Sequence, residues 1–427
     1  MTVKVCIASL EYPPEVGGVG ESVHRIAHMM LELGYEVHVA VFHSKQRKFA
    51  AGKPERARIE TVDRDGVLVH RLYPPARSSE PIMQDFLSEI YSQLKMLHQR
   101  YNYNLFHAFF INETGFITTL LAREQNVPVI NSIRGSDLHK HIFNAKQHGQ
   151  TVWILENSDW VTFVSRDLQT RGRILAPSIH QKSSAFWNSI APIDLGQFPT
   201  PIAPGELRGT IIGSVGRFRD KKGIEYLMEA CGKISADVDL TLLLIGDFAD
   251  RERDYWQLEV QNSGLGDRLI VTSLVSRETA LAYLPIIDIF AIPSLHDGCP
   301  NAMLEAMLAG KAIVGTKVDA IGDILENEVD ALLVNPASAE ELAVALQQLA
   351  LKPELRQKLG LAARKKAIEQ LNPAVEQANW QNVYQQVLEG SKPIVSAANS
   401  ISPKLVFANR YSAIEIASTQ AKSASAD

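Results

Sequence analysis

Twice along this chain, short apolar runs of strand length alternate with longer stretches of helical periodicity, and this repetition restricts the fold more than any other feature. The first series opens with an apolar run at 3–9 and a helical stretch at 20–33. Strand patterns follow at 36–42, 67–73, 105–108, 129–133 and 160–164, with helical patterns at 82–100 and 115–124. A bridge rich in Pro and Gly, 191–208 (APIDLGQFPTPIAPGELR), interrupts the series with the composition of an exposed linker. The second series places strands at 210–215, 240–245, 269–272, 288–293 and 312–316, with helices at 224–234 and 301–309. Strands separated by helices pair in parallel, and a parallel sheet needs helices over both faces. The expected fold is α/β, with two doubly wound Rossmann-like domains, 1–190 and 209–372, facing each other across a cleft.

Composition agrees with this architecture. A chain of 427 residues with 46% hydrophobic content can fill two cores. The formal net charge of -5, with signs mixed, gives no footprint for nucleic acid, and no nucleic-acid partner is expected. The three cysteines, Cys6, Cys231 and Cys299, lack metal-ligand spacing and fit a reducing compartment. The N-terminal apolar run is too short for a signal peptide, and no run reaches transmembrane length. A cytoplasmic location is expected. The basic segment 44–58 reads as a solvated loop, or as a peripheral contact to an anionic membrane surface. Beyond Gly390 the composition turns Ser- and Ala-rich, and 391–427 reads as a disordered tail.

The densest chemistry lies at 293–311, PSLHDGCPNAMLEAMLAGK, where a buried strand gives way to a loop and then a helix near Asn301. Gly298 permits close backbone approach and Pro300 suits a helix start, while Cys299 and Asn301 complete the loop. The unpaired N–H groups and positive dipole end of such a helix favour an anion. Asp297 and Glu305, with seven residues between them, set two carboxylates beside that positive end. A ligand that is part polyol and part phosphate, such as a nucleotide sugar, fits the combination. Each carboxylate also has a plainer reading, Asp297 as a helix cap and Glu305 as a solvated helix face. A second constellation, GSVGRFRDKKG at 213–223, ends the first strand of the second series. There Arg217 offers bidentate contacts to phosphate and Lys222 a point charge, unless both belong to a basic surface loop.

The acidic residue, the following Gly, the Glu eight positions on, and the Ala-Met and Gly-Lys pairs resemble the donor-site signature of family 4 (group 1) retaining glycosyltransferases. The similarity continues through 312–336, AIVGTKVDAIGDILENEVDALLVNP. The resemblance implies the GT-B fold, with the donor held mainly by the second domain and the helix at 373–390 returning to the first. It also implies that Arg217 and Lys222 bind the donor diphosphate. Glu305 would meet the ribose hydroxyls, Asp297 and the backbone of 298–301 the transferred sugar, and Leu274 and Val275 the nucleobase. Relatives usually carry Glu where this chain has Asp297.

In the first domain, the loop at 11–22 (EYPPEVGGVGES) sets Gly17 and Gly18 between a strand and a helix. A nicotinamide fingerprint is incomplete here, because the third small residue is missing. A tight turn is one reading; the resemblance implies glycines that approach the sugar and diphosphate from across the cleft. His107, Arg134 and Asp137 fall near carboxyl ends of strands and face the expected cleft, although His107 also reads as a hydrogen-bonded strand-end histidine. Arg134 and Asp137 resemble a His-Gly-x-Asp segment with Arg in place of His, and Phe109 stands where many relatives have a second His. His139 and His141 read as loop residues with no carboxylate at ligand spacing. Asp237-Val238-Asp239 matches an Asp-x-Asp cation motif but precedes its strand, at the edge away from the cleft, so no catalytic metal is expected.

With the resemblance, these features imply a metal-independent, retaining transfer of sugar from a nucleotide-diphosphate donor to a hydroxyl of a glycan, lipid-linked or small-molecule acceptor, the retention resting on the resemblance alone. The nucleotide sugar is a co-substrate and no cofactor is expected. The residues alone leave open a nucleotide-sugar epimerase or a non-catalytic protein of the same fold.

Overall fold

The computed structural model describes residues 2–14, 18–43, 56–75, 83–199, 201–202 and 207–390. Gly17, most of the basic segment 44–58 and the tail 391–427 lie outside the described residues. The first half forms one sheet from β1 (Lys4–Ser9), β2 (Glu36–Phe42), β3 (Arg58–Arg64), β4 (Val67–Tyr73), β5 (Leu105–Phe109), β6 (Val129–Ile133), β7 (Trp160–Phe163) and β8 (Ser183–Ala185). Its order is β3-β4-β2-β1-β5-β6-β7-β8, parallel throughout except for the edge pair β3 and β4. The second half builds a parallel sheet from β9 (Thr210–Phe218), β10 (Leu240–Phe248), β11 (Leu269–Val271), β12 (Ile289–Ile292), β13 (Ala312–Thr316) and β14 (Leu332–Val334). Its order is β11-β10-β9-β12-β13-β14. The chain therefore has two parallel-sheet α/β domains.

The central strands are continuous apolar runs because both faces are covered. In β2 and β13 nearly every residue is buried, and β10 contributes Leu240, Leu242, Leu243 and Leu244 to cores on opposite sides of its sheet. In each sheet one central strand has its sequence neighbour on one side and a later strand on the other. These strands are β1, between β2 and β5, and β9, between β10 and β12. Loops leaving the carboxyl ends of the strands at such a reversal diverge to opposite faces and open a crevice.

The last helix, Pro373–Gly390, packs on the first sheet: Trp380, Val383, Tyr384 and Val387 are buried among residues of β1, β2 and the helix Gly18–Glu32. Burying an apolar side chain of this size stabilises by about 1.5–3 kcal/mol. Glu376, in its first turn, is buried and accepts from Arg25 Nε at 2.8 Å, from the Ser189 N–H at 2.8 Å and from the Ser189 hydroxyl at 2.5 Å. Burial alone raises a carboxyl pKa, but the Arg25 guanidinium and the Ser189 donors overcome it and hold Glu376 below its ordinary value.

Candidate active site

The switch point of the second sheet lies between β9 and β12, and the two loops singled out in the sequence leave the carboxyl ends of these strands. They are fastened together. The backbone N–H of Leu295 donates to the carbonyl of Lys221 at 2.8 Å. Gly223, at φ +61°, starts the helix Ile224–Ile234, and a Cβ there would sit 2.2 Å from the Pro293 carbonyl oxygen, so no other residue fits. This contact fixes Lys222 over the Asp297 loop.

Lys222 Nζ lies 2.5 Å from Asp297 Oδ2, which also accepts from the Ser294 hydroxyl at 3.4 Å. Burial works to raise the Asp297 pKa, but the Lys222 and Lys221 ammonium groups outweigh it and keep the carboxylate ionised. Oδ1 of Asp297 has no partner among the described residues. Arg217 is exposed at the end of β9, with its guanidinium unpaired among the described residues. The helix Asn301–Leu308 starts after Pro300 without a side-chain cap, leaving its first N–H groups available at the positive end of the dipole.

Glu305, one turn into that helix, is buried. Arg277 places both Nε (3.0 Å) and Nη2 (2.8 Å) on its Oε1, so Oε2 remains without a partner among the described residues. Burial raises the Glu305 pKa against the opposing pull of Arg277. Arg277 was not singled out in the sequence; it begins the helix Arg277–Tyr283, capped by the Ser276 hydroxyl on Thr279 N–H. Leu274 is 68% exposed at the carboxyl edge beyond β11, whereas Val275 packs into the core of the second domain.

From the first domain, the Arg134 loop meets this site directly. A Cβ on Gly298 would lie 2.2 Å from the Arg134 carbonyl oxygen, so glycine is required by the approach of the two backbones. Arg134 Nη2 donates to Asn188 Oδ1 at 2.7 Å and to the Ser22 hydroxyl at 3.1 Å, and its guanidinium lies 5.5 Å from the Phe109 ring centre. Burial and the nearby Arg25 cation lower its pKa to about 10, so it stays charged at neutral pH. Asn188, another residue not singled out, donates to the Cys299 carbonyl at 3.3 Å and to Asn301 Oδ1 at 3.1 Å. Burial pushes the Cys299 thiol up to about 12, which keeps it protonated and unreactive. Gly18 opens the helix Gly18–Glu32, and its carbonyl accepts from Ser22, the residue that meets Arg134.

Two first-domain candidates do not face the cleft. His107 has no exposed surface; its Nδ1 meets the Tyr384 hydroxyl at 2.8 Å and its Nε2 the Ser132 hydroxyl at 2.7 Å. Burial and the Arg134 cation drive its pKa to about 3, so it is a neutral core residue with no ring nitrogen left for a substrate. Asp137 is also buried: its Oδ1 accepts from the Ile111 N–H at 2.9 Å and its Oδ2 from the Arg134 N–H at 2.8 Å. It shapes the Arg134 loop. The Asp237-Val238-Asp239 turn precedes β10, and the Asp239 carbonyl accepts from Thr210 N–H at the start of β9. That is the opposite edge of the sheet from Arg217, roughly 26 Å away at 3.3 Å per residue.

Comparison with known proteins agrees with this geometry. Residues 17–173 match the glycosyl transferase 4-like domain, and residues 204–366 match the glycosyl transferases group 1 family. The chain belongs to the group 1 glycosyltransferases. A 2-deoxystreptamine glucosyltransferase of Streptomyces kanamyceticus is 29% identical over 142 residues, an alignment spanning 33% of this chain and 36% of that one. An N-acetyl-alpha-D-glucosaminyl L-malate synthase of Bacillus anthracis is 22% identical over 395 residues, covering 89% of this chain and 96% of the relative. Among solved structures, sucrose-phosphate synthase of Thermosynechococcus elongatus superposes with a TM-score of 0.76 at 20% identity, covering 91% of this chain and 100% of that one. Anabaena HepE, solved in complex with UDP, gives a TM-score of 0.68 at 14% identity, with 90% and 100% coverage. The fold is GT-B. No described helix is long and apolar enough to cross a membrane.

Proposed function

We propose that this chain moves a sugar from a nucleotide-diphosphate donor to an acceptor hydroxyl, with retention at the anomeric carbon and without a catalytic metal ion. One observation carries the reading: an ammonium, an uncapped helix start and two carboxylates converge at the switch point of the second sheet, where Arg217 ends β9. Arg217, Lys222 and the helix start receive the diphosphate and stabilise its growing charge as the glycosidic bond breaks. Glu305 Oε2 accepts from the ribose hydroxyls, with Arg277 held on Oε1. Asp297 Oδ1 and the backbone of 298–301 hold the sugar hydroxyls. The Cys299 thiol is held protonated and offers no covalent nucleophile. In this reading, which follows the family resemblance, the acceptor oxygen attacks from the side of the departing diphosphate, and its proton passes to a phosphate oxygen. The acceptor is a glycan, a lipid-linked sugar or a small polyol reached from the first domain. A nucleoside-diphosphate complex of a protein that shares the fold, HepE with UDP, supports this class of donor.

Calorimetric titration with nucleoside diphosphates separates the two carboxylates. Glu305→Gln is expected to weaken binding of the free nucleotide by roughly tenfold to a hundredfold, the worth of a charge-assisted hydrogen bond. Asp297→Asn is expected to leave that affinity unchanged or raise it, since Lys222 is released toward the phosphates, while turnover falls. Equal losses in both variants count against the assignment. The proposal further predicts that turnover on a panel of nucleotide sugars persists in excess EDTA, because protein cations stand where a metal would. Activity lost to EDTA and restored by magnesium or manganese contradicts it. The anomeric configuration of the product, read by NMR, decides retention.

A further inference from the structure

Beside the donor loop, three side chains that ordinarily bind transition metals converge from both domains. His139 ends the short helix Ser136–His139 that follows β6 in the first domain. His296 adjoins Asp297, and Asp319 begins the helix Asp319–Ile324 after β13; both belong to the second. One ligand atom from each of the three lies within 4.8 Å of the others. His139 Nε2 meets Asp319 Oδ1 at 2.9 Å, and the rings of His139 and His296 stack with centroids 4.7 Å apart. The carboxylate that His139 lacks in its own stretch of sequence thus arrives from 180 residues away.

The carboxylate is held in place. Asp319 Oδ2 accepts the backbone N–H of Asp297 at 2.9 Å, which turns Oδ1 toward His139, as outer hydrogen bonds orient metal ligands elsewhere. Asp319 also sits at φ +44°, a left-handed conformation rare for a residue with a Cβ and concentrated at ligand clamps and other functional sites. The His139 and Asp319 side chains are nearly buried, at 7% and 2% exposed, while His296 is exposed. The cluster has protein on one side and solvent on the other.

We propose that His139, His296 and Asp319 form a divalent transition-metal site, suited to Zn²⁺, that clasps the two domains together beside the donor loop. Two imidazoles and one carboxylate favour zinc and its neighbours over magnesium or calcium, which take all-oxygen shells. Three protein ligands with a solvent side leave room for water as the remaining ligand. The ion takes the place of the hydrogen between His139 Nε2 and Asp319 Oδ1, with the neutral imidazole carrying its N–H on Nδ1 instead. Lys221 and Arg171 lie within electrostatic reach and oppose a cation, which weakens the affinity. The site takes no part in the sugar transfer proposed above, and it stands or falls separately.

The test uses the full chain, stripped with chelator and dialysed. Zn²⁺ is titrated by calorimetry and by melting temperature, and Co²⁺ by its visible absorption. Saturable binding, a rise in melting temperature with Zn²⁺ and an intense Co²⁺ band are expected. His296→Ala removes an exposed side chain without disturbing the core. It is expected to lower Zn²⁺ affinity by more than the roughly tenfold that an outer-shell change costs and to abolish the Co²⁺ band. His139→Ala, on the other domain, is expected to do the same. No saturable binding below about 1 mM, or unchanged affinity in either variant, overturns the proposal and leaves the cluster as an interdomain hydrogen bond.

Discussion

Lys222→Ala is expected to lower turnover by roughly a hundredfold to a thousandfold, the cost of removing one preorganised group from a developing negative charge. The argument rests on the two partners this ammonium serves. In the free protein it neutralises Asp297, whose side chain is 11% exposed. With donor bound it also faces the leaving diphosphate, beside Arg217. Removing it strips charge from the phosphate site and leaves a nearly buried carboxylate without its cation. The double variant Lys222→Ala/Asp297→Asn separates these effects. If the stranded carboxylate contributes, the double variant binds nucleoside diphosphate better than Lys222→Ala alone, while turnover stays low in both. Steady-state kinetics with a nucleotide sugar, together with nucleotide calorimetry, read both quantities. A loss of less than about tenfold in turnover places the diphosphate elsewhere.

Glu376→Ala is expected to have the largest effect on stability, about 3–5 kcal/mol, as for other buried ion pairs broken on one side. It strands Arg25, the Ser189 N–H and hydroxyl, and the Trp380 indole N–H in a site that is 3% exposed at Glu376. Denaturant unfolding measures the loss. The pH dependence has a definite sign. The native pKa of Glu376 lies below its ordinary value, so its contribution is full above the usual carboxylate range, near 4.3, and vanishes as pH falls through the native value. The difference in stability between the parent chain and Glu376→Ala should therefore shrink as pH drops below about 4. A difference independent of pH across that window contradicts the ionised reading.

The repeated alternation was enough to read the two parallel sheets, because buried parallel strands are written as unbroken apolar runs. The edge strand β3, RIETVDR, escaped for the same reason in reverse: it is mostly exposed and has no apolar run. Arg217, Lys222, Asp297 and Glu305 were legible because each lies within a few residues of a strand end or helix start. Their partners were not. Arg277 reaches Glu305 across 28 positions, and Lys222 reaches Asp297 across 75, separations that no local pattern encodes. His107 shows the limit most clearly. Its place near a strand end suited a cleft residue, but Tyr384, 277 positions later, covers it. What lies over a strand is decided by chain that local periodicity does not link to it.

The return of the last helix sets a schedule for biosynthesis. Trp380 and Tyr384 complete the packing around β1, β5 and the ring of His107, yet they are made long after those strands. About 200 residues separate the end of the first sheet from Tyr384, so at about 5–20 residues per second a translating ribosome needs roughly 10–40 s to cover them. Throughout that interval the surface of the first sheet that Trp380 and Tyr384 cover, beside His107, has no final helix to cover it.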